Sequence, residues 1–423
     1  MKEERLKHVA DIRVSNVDKK ITKGDARVRL CNYTDVYYNE RIVGDFEFMI
    51  ATATQGQRRT FGLRRGDVVL TKDSETADDI GVTALVTEDV PDLVCGYHLA
   101  IVRANTSRVV GGYLRWVLAS QPARQRMSAA ATGVTRFGLR SEAIADLPIP
   151  VPLLPAQHAI ADYLDRETAR IDALIAAKRR MVELLEERLP VAFDCAIRQQ
   201  GFEFPVDLDP DWTQCPRPKD WAIMNLSQVL TQLTNGFVGA TRDILVDDGV
   251  PYIQSLHIKN GRIDFAKRPF YVNEKWHAER PRIHLRQDDV LIVQTGDIGQ
   301  VAVVPPAFGP ASCHALQIAR VKKAVITGRY LAAFLRSPFG RHSLLSRATG
   351  ALHPHLEAGI KDIPVVVPPL YVQDVVVREV DQVEQCTASS ISALDRQTDL
   401  LEERRQALIT AAVTGQLDIP EAA

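Results

Sequence analysis

The stretch Leu184-Leu185-Glu186-Glu187-Arg188 returns 216 positions later as Leu400-Leu401-Glu402-Glu403-Arg404. The offset holds without a gap from Ile144 (to Ile360) as far as Ala196 (to Ala412). It pairs Asp146 with Asp362, Pro148 with Pro364, Gln157 with Gln373 and Asp165 with Asp381. Five shared letters arise by chance among helix formers, but one register kept over so long a stretch does not. The chain is an internal duplication, and whatever it builds it must build twice.

At 423 residues the chain is long enough for two to four units. The block 1–150 reads as mixed α and β. Short strands are expected at 28–36, 67–70, 82–86 and 99–102, and a helix near 113–118 ending at Ser120-Gln121-Pro122. Polar, glycine-bearing loops are expected at 54–59, 72–81 and 132–138. Pro148, Pro150, Pro152 and Pro155 then make a stiff extended exit. The block 204–366 repeats the framework: Asp289-Val290-Leu291-Ile292 matches 67–70, and Leu316, Ile318 and Arg320 follow Leu99, Ile101 and Arg103 by 217. The loops do not repeat.

Residues 151–203 and 367–423 have a different texture. Apolar residues at Ile160, Leu164, Ile171, Leu174, Met181, Leu185 and Ala192 are spaced four, seven, three, seven, four and seven apart, which is a heptad seam. A helix over 156–199 would be roughly 65 Å long, with Pro190 kinking its far end. A second helix over 372–414 carries Leu394, Leu401 and Leu408, with Ser390 and Gln397 making its seam more polar. One apolar stripe on a long helix calls for a partner helix, and the second copy is the obvious candidate.

The charged start Met1-Lys2-Glu3-Glu4-Arg5 leads into no apolar run, no stretch approaches a membrane span, and six cysteines lie far apart without a C-x-x-C pair. These features predict a soluble protein of a reducing cytoplasm. The net charge of −1 divides unevenly: 1–150 carry +3, 151–203 carry −2, 204–366 carry +4 and 367–423 carry −6. Basic blocks alternating with acidic ones suit a nucleic-acid binder whose remaining surface meets protein.

A variable block, an exit like Ile149-Pro-Val-Pro-Leu-Leu-Pro-Ala-Gln157 and a long helix with Leu-Leu-Glu-Glu-Arg, all repeated, resemble the specificity subunit of type I restriction-modification enzymes. The ending Arg404-Arg405-Gln406-Ala407-Leu408-Ile409-Thr410-Ala411-Ala412-Val413-Thr414-Gly415 is similar to that family too. The resemblance implies an α+β protein with two α/β target-recognition domains (1–150 and 204–366) in pseudo-twofold tandem repeat. Two long helices (151–203 and 367–423) would separate them as an antiparallel coiled coil. It implies a non-catalytic subunit without cofactor that binds double-stranded DNA, two methyltransferase subunits and restriction subunits with translocase and nuclease activity. Each domain would read one half of a bipartite, asymmetric target.

Base edges are read best by Arg on guanine and by Asn or Gln on adenine. The candidates in the first block are Gln57, Arg58, Arg59, Lys72, Thr135 and Arg136. In the second they are Arg242, Lys259, Gln294 and Thr295 at the matching strand ends, with His353 and His355 in the counterpart of the Thr135-Arg136 loop. For each, the bland alternative is a solvated loop residue. His353-Pro-His355 lacks companions at zinc spacing, so no metal is expected. Thr295-Gly-Asp-Ile-Gly299 lacks the phosphate-loop lysine and reads as a tight turn. Val304-Pro305-Pro306-Ala307 lacks the Asn and aromatic of an adenine-methyltransferase signature. Two other readings stand beside the main one: a coiled-coil scaffold that binds only protein, and a DNA adenine methyltransferase with unrecognised motifs.

Overall fold

A computed structural model describes residues 3–205, 210–259, 261–350, 355–356 and 358–420. The chain divides into two compact units, one of residues 1–179 with 395–423 and one of residues 180–394.

Unit one contains a five-stranded sheet in the order Ala10–Val14, Leu99–Ala104, Val68–Thr71, Thr83–Val86, Arg41–Ile42, and a three-stranded sheet Met49–Ala53, Ala26–Cys31, Leu93–Cys95. Val68–Thr71 is buried along its length, as a strand covered on both faces must be. Its period of two sorts the core. Val68, Leu70, Ala100 and Val102 share one cluster with Tyr113, Leu114 and Val117 of the helix Gly111–Ala119. Val69, Leu99 and Ile101 share another with Val28, Leu30 and Val94 of the smaller sheet.

Unit two is built the same way. The sheet Leu230–Asn235, Leu316–Val321, Val290–Val293, Val301–Val303 sends Val290, Ile292 and Ala319 to one cluster, with Tyr330 and Phe334 of the helix Gly328–Arg336. Leu291, Val293, Leu316 and Ile318 go to the other.

Polar joints repeat with the framework. Arg103 donates to both oxygens of buried Asp67 at 2.7 and 2.6 Å, and Arg320 holds Asp289 at 3.2 and 3.3 Å. Hydrogen bonding to Asp67 holds the Arg103 guanidinium above its ordinary value. Burial pushes the Asp289 carboxyl up, against the pull of the Arg286 amide and Arg320. The Gln157 side chain accepts from the Val110 amide at 2.8 Å and donates to the carbonyls of Arg108 at 2.9 Å and Pro152 at 2.8 Å. The proline exits are short strands: Pro148–Pro150 pairs with Glu3–Arg5, and Pro364–Val367 with Ala222–Asn225.

The first long helix runs Leu154–Arg188, breaks around Pro190 and resumes as Ala192–Gln199; the second runs Leu370–Thr414 without a break. Their 35 and 45 residues correspond to about 52 and 68 Å. Within unit one they pair antiparallel, Asp172 with Arg405 at 2.9 Å and Lys178 with Gln397 at 2.5 Å. The ends of the two repeats cross over. Ile409, Ala412 and Val413 complete the core of unit one beside Tyr113 and Leu164. Their counterparts 216 positions earlier, Phe193, Ala196 and Ile197, complete the core of unit two, with Phe193 edge-on to Tyr330 and Phe334.

The seam differs from the heptad reading. Leu164, Ile171 and Leu394 are buried, and Leu185, Leu401 and Leu408 are half-buried, but Leu174 is 47% exposed. Burial follows Ile160, Leu164, Thr168, Ile171 and Ile175 instead. At 3.6 residues per turn that set shares one face, and Leu174 lies roughly 80° around from it. Residues 54–59, read as a loop, enter the helix Gln55–Phe61; the strand expected over 28–36 stops at Cys31, and the helix Tyr33–Tyr37 begins. The helix expected near 113–118 ends at Ala119, and Pro122 then opens a second helix, Gln121–Ala130, where its missing N–H costs nothing.

Candidate nucleic-acid interface

Each unit ends its central buried strand at a surface junction made the same way twice. In unit one Leu139 donates its backbone N–H to the Lys72 carbonyl at 2.8 Å, and Phe137–Gly138 pairs with Asp73–Ser74. The loop 132–138 is closed at its base by reciprocal bonds between Thr132 and Gly138, and Gly133, with φ +150°, supplies a turn that a side chain would strain. In unit two Leu356 donates to the Gln294 carbonyl at 2.9 Å, His355 bridges to Thr295, and Ala348–Thr349 pairs with His355–Leu356. Lys72 and Gln294 are thus equivalent, as are Asp73 and Thr295, and Gly138 and His355.

The side chains at these equivalent places differ. Asp73 Oδ2 accepts from Lys72 Nζ at 2.8 Å and from His98 Nδ1 at 2.7 Å, all three side chains being 15–20% exposed. In unit two the Thr295 hydroxyl lies 2.7 Å from His355 Nδ1. Gln294 is 2% exposed, and its Oε1 has no hydrogen-bond partner among the described residues.

The junctions place Lys72 beside the base of the loop that carries the exposed Thr135 and Arg136 in unit one, and bring together Gln294, Thr295 and His355 in unit two. Other candidates stand elsewhere. The Gln57 side chain accepts from the Thr54 amide in a capping box and donates to Asn16 at 3.1 Å, so its amide is engaged by the fold. Arg58 is ion-paired with Asp92, while Arg59 is exposed with no ionic partner among the described residues. Arg242 is exposed in a turn. Lys259 is exposed in the strand Ile258–Lys259 and shares a groove with Arg336, Arg341 and Gln300. His353 lies outside the described residues.

Sequence reasoning missed Asp73, His98 and Arg341. Asp73 and His98 lie 25 positions apart, and only the folded chain brings the turn that carries His98 to Asp73. The helix at 55–61 was legible, since Thr54 with Gln57 three residues on is a capping box. Among the described residues no helix is long and apolar enough to cross a membrane.

No family model matches the chain. Over 300 residues it is 22% identical to the type I restriction enzyme EcoBI specificity subunit of Escherichia coli, covering 69% of this chain and 63% of that protein. Over 210 residues it is 27% identical to the StySPI specificity subunit of Salmonella potsdam, covering 47% and 44%. The match therefore spans less than two thirds of the length of these curated relatives. In fold it is similar to a chain from a structure addressing complex assembly and conformational transition of a type I R-M system, with a TM-score of 0.69, 17% identity and 98% of each chain covered. It is also similar to the HsdS subunit from Thermoanaerobacter tengcongensis, with a TM-score of 0.58, 17% identity and coverage of 98% of this chain and 97% of that one.

Proposed function

We propose that this relative of the type I restriction enzyme specificity subunits is itself the sequence-reading subunit of a restriction-modification assembly. Residues 1–150 and 204–366 act as two target-recognition domains, each reading one half of a bipartite, asymmetric site in double-stranded DNA. Residues 151–203 and 367–423 set the gap and dock two methyltransferase subunits, to which restriction subunits add translocation and cleavage. The chain itself recognises and positions, and its partners in the cytoplasm perform the chemistry.

The observation that carries this reading is the repeated junction. Leu139 on Lys72 and Leu356 on Gln294 are the same backbone joint. One joint nevertheless presents Lys72, Asp73 and Gly138, and the other Thr295 and His355, with Gln294 buried. A common frame with unlike side chains at its rim is what two different half-sites require, because groove edges are told apart by donor and acceptor pattern.

Electrophoretic mobility shift of the full chain, alone and with its methyltransferase partner, tests the reading against random-sequence and cognate duplexes. Selective retention of a two-part sequence is expected with the partner. No retention of any duplex by the complex would refute it, and methyl transfer by the chain alone would favour the enzyme reading.

A further inference from the structure

The contact between Asp73 and His98 has a counterpart made from other parts of the chain. Asp73 Oδ2 lies 2.7 Å from His98 Nδ1, and Thr295 Oγ1 lies 2.7 Å from His355 Nδ1. Asp73 and Thr295 hold equivalent places just beyond their buried strands, but the histidines do not. Ala315 stands 217 after His98, and Gly138 stands 217 before His355. Both units thus set an imidazole against the oxygen of this one position, by different routes.

We propose that Asp73 is a base-reading residue of the first half-site and accepts a hydrogen bond from an exocyclic amino group in the major groove, cytosine N4 or adenine N6. This rests on the specificity-subunit reading above. Lys72 and His98 both bind Oδ2, which orients the carboxyl and sets a cation beside it. Oδ1 accepts from nothing among the described residues. A Cβ at Gly138 would press on that oxygen at 3.3 Å, so the glycine leaves it unhindered on that side. A bare carboxylate near phosphates would be repelled; one beside an ammonium is not. An ionised carboxylate has no proton to donate, so it rejects guanine O6 and thymine O4 and selects the amino edges. Thr295, a hydroxyl, carries no such restriction, in keeping with unlike half-sites.

The test uses the full chain with its methyltransferase subunits and the duplex target found by methylome sequencing. Each cytosine is replaced in turn by 2-pyrimidinone and each adenine by unsubstituted purine, deleting one amino group at a time. One position should lose about tenfold in binding, with the pyrimidinone or the purine series identifying the base. Asp73→Leu, which keeps the bulk and removes the acceptor, should abolish that sensitivity. The inference is overturned if no amino deletion weakens binding, which the wild-type complex decides even should the variant misfold. It is equally overturned if a folded Asp73→Leu complex keeps the sensitivity. A wild-type complex that prefers no sequence at all would instead bring down the specificity-subunit reading, and this inference with it.

Discussion

Gln373 repeats Gln157 bond for bond. It accepts from the Thr327 amide at 3.0 Å and donates to the carbonyls of Val325 at 2.9 Å and Pro368 at 2.8 Å. Both side chains are fully buried, and each ties the start of a long helix to the chain ahead of it and to the start of the domain's own helix. A buried amide with every partner in place is a rigid joint, and removing it strands backbone groups that water cannot reach.

Replacing Gln157 with Leu should therefore lower the opening free energy at the Val110 amide by about 1–3 kcal/mol, and Gln373→Leu should do the same at Thr327. Hydrogen exchange resolved by peptide checks this. Each substitution should act on its own amide alone, and a Gln157→Leu change that loosened Thr327 equally would show that the joints are not independent.

Phe193 belongs by sequence to the first repeat and by packing to the second unit. Phe193→Ala should destabilise unit two by about 3–5 kcal/mol and speed labelling of buried Cys313, leaving Cys31 and Cys95 slow. Ile409→Ala should do the reverse. Mass spectrometry of thiols modified under native conditions reads both, and labelling of Cys31 and Cys95 in the Phe193 variant would contradict the crossed arrangement.

Asp194, on the helix Ala192–Gln199, has its carboxyl pushed up to about 7 by burial, with Arg198 opposing. A folded-state value above the unfolded one means the charged form is disfavoured in the fold. The resulting penalty is absent below about pH 4, grows between there and about pH 7, and is complete above. Asp194→Asn should accordingly raise the melting temperature at pH 8 and leave it almost unchanged at pH 4. An equal gain at both values would mean that the charge is not the cause.

Arg136 lies exposed on its loop, whereas Arg58 is already paired with Asp92. If Arg136 meets a phosphate, Arg136→Ala should reduce the slope of log affinity against log salt by about 0.9, and Arg58→Ala should change it less. Titrations at several salt concentrations decide, and an unaltered slope for Arg136→Ala would remove that residue from the phosphate contacts.

The helices and the buried strands were legible because their signals are local and periodic. The 216-residue offset needs no fold to be seen, and Val68–Thr71 and Val290–Val293 are apolar runs bounded by turns. The rim of the site was less so. Thr135, Arg136 and Thr295 stand where the loop reading put them, but Gln57 and Arg58 have partners, Asn16 and Asp92, that only the folded chain brings near. Asp73 and His98 lie 25 positions apart and touch across a sheet, a relationship that neither composition nor spacing encodes. Leu174 failed for a different reason: a strict 3.5-residue repeat and a 3.6-residue turn drift apart along a helix, and by that point the buried stripe had moved to Ile175.

The crossing of the helix ends also orders events during synthesis. Unit two is drawn from one unbroken run, residues 180–394, whereas unit one closes only when residues from 395 onward supply Ile409, Ala412 and Val413. The domain that leaves the ribosome first is thus the last to be finished. Until then its Tyr113 and Leu164 face a gap that the helix Ala192–Gln199, the nearest copy of the missing segment, is already made to fill in the other unit. A nascent chain has to tell these two endings apart, and the ring of Phe193 against the smaller side chain of Ile409 is one difference it has to work with.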